Sequence, residues 1–176
     1  MLEHFPAFVP QKVCLSCDGC CRYKEQNSLW RPKITSDELN QLKSKRSSLI
    51  DKIFSKENVA SKGFLKAVPH NKKICKCTFF NFESNTCSIY SDRPFECQLY
   101  PFLLNKRKHD LTVSVHLHCP YIEEKRYSPL FEGYVVSLKV FFDRPEVKKF
   151  LKNNPILFND YSDYDDEIED IFTLNL

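Results

Sequence analysis

Four cysteines within eight residues constrain this chain more than any other feature. They are Cys14, Cys17, Cys20 and Cys21, in the pattern C-x2-C-x2-C-C. Two-residue gaps let one turn of backbone aim successive sulfur atoms at one ion, and strain disfavours a disulfide between the adjacent Cys20 and Cys21. The C-x2-C-x2-C portion also matches the start of the run that holds iron–sulfur clusters in bacterial ferredoxins. The run therefore predicts a thiolate-bound metal centre, and both zinc and iron–sulfur suit it.

A second group of cysteines follows further along the chain. Cys77, Cys87 and Cys97 recur every ten residues, and Cys119 directly precedes a proline. With the first run they make eight candidate ligands, enough for two tetrahedral sites or for one cluster with spare thiols. The ninth cysteine, Cys75, is predicted to be a bystander, because free cysteines commonly pack as small apolar residues.

Composition favours metal binding over disulfides. The N-terminus has no basic segment followed by a long apolar one, so no signal peptide is expected and the cytoplasm is the predicted location. In a reducing compartment, nine cysteines point to metal binding or redox chemistry. The sequence has no run of about 18 apolar residues, so no membrane span is expected. A chain of 176 residues with 14% aromatic side chains can also bury a core of its own.

Charge is distributed unevenly along the chain. Residues 160–176 hold seven acidic side chains and no lysine or arginine, which leaves residues 1–159 with a net charge of about +10. A basic surface can indicate nucleic-acid binding. Compensation of clustered thiolates is the favoured interpretation, because lysines and arginines crowd the cysteines and positive neighbours stabilise thiolates. With three glycines, the chain lacks a glycine-rich phosphate loop.

The predicted fold is α+β: a small, irregular, cysteine-pinned metal domain with few short strands and several packed helices. Thr35 and Glu38 form a capping box that begins a helix over 36–54. The other predicted elements are strands near 63–68, 78–82 and 111–117, a turn at Asn85, and helices over 129–142 and 146–153, the last capped by Asp143. Residues 1–13 are predicted to be extended. One domain is expected over 1–159, followed by an acidic tail over 160–176, of which the stretch 160–170 is predicted to be disordered or loosely docked.

The order of the motifs adds a family resemblance. The motifs are C-x2-C-x2-C-C-R from Cys14, C-x-F-F from Cys77, C-S-I-Y-x2-R-P-x2-C-x2-Y-P-F from Cys87, and C-P at Cys119. This arrangement, over residues 14–120, resembles the CxxCxxCC family of zinc- or iron-chelating proteins (YkgJ-like). Flagellin lysine-N-methylases carry a similar cysteine set. The resemblance implies a domain whose metal is held by cysteines, and it leaves the biological role open.

Several neighbours of the cysteines are candidates for supporting roles. Arg93 lies between two cysteines and could donate hydrogen bonds to metal-bound sulfur. Tyr90 and Tyr100 are predicted to pack beside the site and shield it from solvent. His116 and His118 are predicted on one face of a strand. Either could replace a thiolate ligand, although a histidine on a polar face is the simpler interpretation.

Three functions follow from these patterns. The first is a metal-binding protein that holds zinc or an iron–sulfur cluster, with no assigned biological role. The second is an iron–sulfur-dependent protein-modifying enzyme similar to the flagellin lysine-N-methylases. The third is a zinc-dependent nucleic-acid-binding module, which no finger or RNA-reading motif supports. The partner expected in every case is a metal ion or cluster, and the pattern identifies neither an activity nor a protein partner.

Overall fold

The computed structural model describes residues 7–17, 19–45 and 63–176. Within these ranges it has six α-helices and eight short strands, which confirms the α+β class. The helices are α1 (Gln11–Ser16), α2 (Ser36–Lys45), α3 (Phe95–Leu99), α4 (Pro120–Lys125), α5 (Pro129–Asp143) and α6 (Pro145–Asn153). The strands are β1 (Arg22–Tyr23), β2 (Ala67–Pro69), β3 (Cys75–Cys77), β4 (Phe80–Asn81), β5 (Thr86–Cys87), β6 (Phe102–Lys106), β7 (Leu111–His116) and β8 (Ile168–Thr173).

The strands form three small antiparallel sheets, with strand orders β1-β3-β2, β4-β5 and β6-β7-β8. The chain also divides into two compact units. One is Gln11–Cys97, and the other joins the residues before Gln11 to Gln98–Leu176. The first unit holds the first two sheets and every cysteine except Cys119.

The unit Gln11–Cys97 is built on an apolar core that includes Leu65, Phe79 and Ile89, all at most 2% exposed. Helix α2 borders this core and begins with the predicted capping box. The Thr35 amide donates to Glu38 Oε2 at 2.8 Å, and the Glu38 amide donates to Thr35 Oγ1 at 3.3 Å. The structure confirms this helix over Ser36–Lys45, and the predicted continuation to residue 54 lies outside the described residues.

The second unit is built on the sheet β6-β7-β8, with β7 in the middle. Alternation along β7 predicted one solvated face, and this prediction is wrong, because Thr112 and Ser114 are buried. Their hydroxyls hydrogen-bond to Asp170 Oδ1 on β8, which also accepts a bond from Asn105 Nδ2 at 3.3 Å. Polar side chains tolerate burial here because they have partners.

The acidic C-terminal stretch is more ordered than predicted. Disorder or loose docking was expected for residues 160–170, but a 3₁₀ turn covers Ser162–Tyr164 and β8 pairs with β7 from Ile168 onward. Arg107, the residue after β6, forms ion pairs with both Asp165 and Asp170 and so compensates two of the acidic charges. The division into a 1–159 domain and a 160–176 tail stays a prediction.

Other local predictions need smaller corrections. Residues 11–13, predicted to be extended, belong to helix α1, and the predicted strands near 63–68 and 78–82 are reduced to β2 and β4. Asn85 has a positive φ of 49°, as its predicted turn allows. The polar, lysine-rich composition of residues 55–75 also predicts a loop around the strand near 63–68, and its part over 55–62 lies outside the described residues.

The helices of the second unit follow the predictions in extent but not in every detail. Helix α5 buries Phe131 and Phe142, whereas Leu130 and Val140 are 55% and 60% exposed. Asp143 belongs to α5 instead of capping α6, which begins at a proline after Arg144. None of the helices in the described ranges is long and apolar enough to cross a membrane.

Candidate metal centre

Strand pairing brings the two cysteine groups of the unit Gln11–Cys97 together. The first run ends at Cys21, and the chain then enters β1, which pairs antiparallel with β3. The backbone amide of Cys77 on β3 donates to the carbonyl of Cys21 at 2.9 Å. Residues more than fifty positions apart therefore share one hydrogen bond, which makes Cys21 and Cys77 neighbours.

Six cysteines of this unit have raised pKa values, and each is affected by the charge of at least one other cysteine. They are Cys14, Cys20, Cys21, Cys77, Cys87 and Cys97. Burial is the largest cause at four of them and raises the pKa of Cys77 to about 12. A Cys20–Cys21 hydrogen bond has the largest effect on that pair. It raises the pKa of Cys20 and lowers that of Cys21, which burial and neighbouring cysteines still leave raised. Without a cation, these thiols hold their protons at neutral pH.

Backbone amides are already directed at three of the sulfur atoms. Cys17, Cys77 and Cys87 each accept a hydrogen bond from the amide two positions further along. The N···S distance at Cys17 is 3.4 Å. Hydrogen bonds from the amides lower the pKa of Cys77 and of Cys87, although burial outweighs them. An amide that donates to sulfur favours the charged form, so these loops suit thiolates.

Arg93 supplies positive charge at the edge of the cysteine group. Its Nη1 lies 3.8 Å from Cys14 Sγ, and its charge lowers the pKa of Cys14 and of Cys87 against the larger effect of burial. The guanidinium stacks 3.8 Å above the Tyr90 ring, and its Nε donates to the Tyr90 carbonyl at 3.1 Å. Arg93 and Tyr90 thus lie beside the candidate ligands, and their role toward a metal stays a prediction.

The described cysteines of this unit influence one another, but their side chains do not surround a single metal position. Within 7–17, 19–45 and 63–176, no three histidine, cysteine, aspartate or glutamate side chains are arranged to hold a metal ion. The chemistry of the donor set nevertheless fits zinc or iron–sulfur, since both metals prefer thiolates. The ligand assignment itself therefore stays a prediction.

Comparison with protein families adds an independent finding. A family model named CxxCxxCC and described as a "putative zinc- or iron-chelating domain" matches residues 13–122. The chain belongs to the CxxCxxCC family. The matched segment contains all nine cysteines, and the family's description supports metal binding in general. No match was found among curated proteins or among solved structures.

In this CxxCxxCC protein, two predicted site residues belong to the other compact unit. Cys119 is 5% exposed and precedes the first residue of α4. The hydroxyl of Tyr100 hydrogen-bonds to Nδ1 of His116 at 2.8 Å. The roles of Cys119 as a ligand and of Tyr100 as a shield stay predictions.

The histidines do not share a strand face as predicted, because β7 ends at His116 and His118 lies in the following turn. Burial, with a smaller effect of His118, lowers the pKa of His116 to about 4. His116 is consequently a neutral imidazole at physiological pH, with its Nε2 3.7 Å from the Glu167 carboxylate.

Sequence reasoning missed two buried groups that border the cysteines. Glu96, next to Cys97, accepts a hydrogen bond from the backbone amide of Lys33. Burial raises the pKa of Glu96 to about 7 and lowers that of Lys33 to about 8. Tyr23, on β1, is 5% exposed. The position of Tyr23 just after the first cysteine run was the available signal, but its burial depends on pairing with β3.

Proposed function

We propose that this protein binds a metal centre, either zinc or an iron–sulfur cluster, through cysteine thiolates. The observation that carries the proposal is the β1–β3 pairing, which brings Cys21 of the first group next to Cys77 of the second, and buried thiols of both groups affect one another's pKa. The biological role beyond metal binding is left unassigned.

The proposed ligands are the eight cysteines of the motifs. They are Cys14, Cys17, Cys20, Cys21, Cys77, Cys87, Cys97 and Cys119. Seven belong to the unit Gln11–Cys97, and Cys119 is included on the motif alone. Eight thiolates suffice for two four-coordinate ions, or for one cluster with thiols to spare. Cys75 is proposed as a core residue.

Electrostatics explains why a cation is needed. Burial and neighbouring cysteines oppose ionisation of these thiols, so several thiolates can coexist only if positive charge is bound among them. Arg93 and Lys76 supply part of it, since each lowers the pKa of a nearby cysteine against the larger effect of burial. The basic character of the chain near the cysteines is therefore assigned to thiolate compensation.

Metal analysis of the full chain tests the proposal. Protein purified anaerobically from unsupplemented growth is expected to contain zinc or iron in a whole-number ratio to protein. Zinc-loaded protein is colourless, whereas an iron–sulfur protein contains acid-labile sulfide and absorbs light at about 400 nm. A Cys20→Ser/Cys21→Ser variant is the matched control and is expected to lose the metal. Absence of both metals from the unsubstituted protein would exclude this function.

An iron–sulfur-dependent protein-modifying enzyme is the second candidate. The C-x2-C-x2-C spacing favours it, because that spacing occurs in ferredoxin-type cluster sites. Its cluster would be held by the same cysteines. Colourless, iron-free protein after anaerobic purification would exclude this candidate and leave zinc binding intact.

A further inference from the structure

A tyrosine beside the cysteines has a buried hydroxyl group that makes no hydrogen bond with the residues described by the structure. The Tyr23 side chain is 5% exposed, and its hydroxyl oxygen is buried without a hydrogen bond to any residue that the structure describes. Buried hydroxyl groups are nearly always hydrogen-bonded, since an unmade bond leaves the group's desolvation uncompensated. The exception at Tyr23 therefore calls for an acceptor that the described residues do not provide while the thiols are neutral.

Strand register places this side chain among the cysteines. Tyr23 lies directly opposite Cys75 in the β1–β3 pair, so both side chains project from the same face of the sheet. Cys77, two residues further along β3, shares that face. Burial, followed by the charges of Cys77, Cys21, Cys97 and Cys20, holds the pKa of Tyr23 well above its usual range. The phenol remains an O–H donor, on the sheet face that also carries Cys75 and Cys77.

We propose that Tyr23 is a positioning residue of the metal centre, whose hydroxyl donates a hydrogen bond to a metal-bound thiolate. The inference rests on the proposed function. Neutral thiols are weak acceptors, whereas thiolate sulfur carries charge and attracts a donor strongly. The hydrogen bond therefore forms when metal replaces the thiol protons, and it stabilises the loaded state over the metal-free state.

This role predicts that Tyr23→Phe weakens the metal-loaded state without destabilising the metal-free state. In the metal-free protein the substitution removes a buried hydroxyl that no described residue hydrogen-bonds, so the melting temperature stays the same or rises. In the loaded protein it removes a hydrogen bond to a ligand, so metal affinity falls. A tyrosine whose hydroxyl only stabilised the fold would lower the melting temperature of the metal-free protein when replaced by phenylalanine.

Tyr161→Phe is the matched control. Tyr161 is also buried, at 2% exposed against 5% for Tyr23, but its hydroxyl accepts a hydrogen bond from Asn159 Nδ2 at 2.9 Å. Tyr161→Phe is expected to lower the melting temperature of the metal-free protein and to leave metal affinity unchanged.

The experiment titrates reduced, metal-free full-length protein with Co²⁺ under anaerobic conditions, followed by sulfur-to-cobalt charge-transfer absorption, and then displaces Co²⁺ with Zn²⁺. We expect Tyr23→Phe to bind Co²⁺ about tenfold more weakly than the unsubstituted protein, the size usual for groups that bond to a metal ligand. If the protein is isolated with an iron–sulfur cluster, the measurement is its midpoint potential, which should become more negative when a hydrogen bond to cluster sulfur is lost.

The results separate the two proposals. An unsubstituted protein that contains no iron and binds neither Co²⁺ nor Zn²⁺ overturns the proposed function. If it binds metal and Tyr23→Phe shows the same affinity, or the same potential, the inference about Tyr23 alone is overturned. A metal-free Tyr23→Phe protein that melts below the unsubstituted protein, as Tyr161→Phe does, also overturns it.

Discussion

Serine substitution at two cysteines of one strand separates metal ligation from packing. Cys75 and Cys77 both lie on β3, alternate with Lys76 so that they face the same side, and are 9% and 6% exposed. Cys77 influences the charge state of cysteines from both groups, whereas Cys75 is not among the strongest influences on any of them. Cys77→Ser should therefore remove a ligand and Cys75→Ser should not.

The two substitutions are matched in the metal-free state. Each replaces a buried thiol, which packs as a small apolar group, by a hydroxyl of similar size. Placing such a polar group in the core costs about 1–2 kcal/mol of unfolding free energy. Because both positions are almost equally buried, the two variants are expected to lose similar stability when a chelator is present.

Added Zn²⁺ should stabilise the two variants by different amounts. With free Zn²⁺ at about 100 times its dissociation constant, binding stabilises the unsubstituted protein by about 2.7 kcal/mol. Removal of a ligand should weaken binding at least about 100-fold, more than the loss of a group that merely supports a ligand. The metal-dependent stabilisation of Cys77→Ser then falls to about 0.4 kcal/mol, whereas that of Cys75→Ser stays near 2.7 kcal/mol.

Urea unfolding under reducing conditions, with Zn²⁺ or with a chelator, measures both quantities. The decisive value is the difference between the two conditions for each variant, since effects on packing alone cancel in it. Equal metal-dependent stabilisation of Cys75→Ser and Cys77→Ser would refute the assignment of Cys77 as a ligand. Loss of the effect in Cys75→Ser would refute the assignment of Cys75 to the core.

Three further predictions concern pH, charge and the second unit. Because burial raises the pKa of Cys77 to about 12, the thiols that bind Zn²⁺ must release their protons as they bind. The affinity for Zn²⁺ should therefore rise steeply between about pH 6 and pH 8, and a flat profile in competition titrations would contradict this. Arg93→Gln should weaken Zn²⁺ binding about tenfold without changing its stoichiometry, and unchanged affinity would exclude a supporting role. Asp170→Ala should lower the unfolding free energy by about 1–3 kcal/mol in metal and in chelator alike, because Asn105 and Ser114 are buried and lose an acceptor. Burial opposes ionisation of Asp170, but bonds from Arg107 and Ser114 lower its pKa overall, so this stabilisation should be present above about pH 4 and lost in stronger acid. Acid titration of the unfolding free energy in Asp170→Ala should lack that loss.

Local signals predicted the elements that depend on few residues. The capping box at Thr35 and Glu38 was readable because both hydrogen bonds join residues three positions apart. The same Glu38 also accepts the Phe95 amide at 2.6 Å and so connects α2 to α3, a contact across 57 residues that no local pattern indicates. The helices over 129–142 and 146–153 were likewise readable, from their apolar spacing and the prolines near their ends.

Elements that depend on distant partners were predicted poorly. Alternation along β7 suggested a solvated face, because the acceptor of its hydroxyls, Asp170, lies more than fifty residues away in a stretch that composition alone suggests is disordered. In the candidate site, cysteine spacing predicted the donor set, but no spacing places Tyr23 beside it. That neighbourhood exists because β1 pairs with β3 in a register that sets Tyr23 against Cys75.

The same residues serve the candidate site and the core, which bears on how metal and fold depend on each other. Cys75 and Cys77 are part of the apolar core that includes Leu65 and Phe79, and in the metal-free state neutral thiols can pack there as small apolar groups. A unit with such a core does not need metal to collapse, unlike classical zinc fingers, which are unfolded without it. Metal binding then converts packed thiols into thiolates, and its free energy is partly spent on their desolvation. We therefore expect metal to stabilise a fold that already exists, with an affinity set by how well nearby donors such as backbone amides, Arg93 and Tyr23 compensate the buried charge.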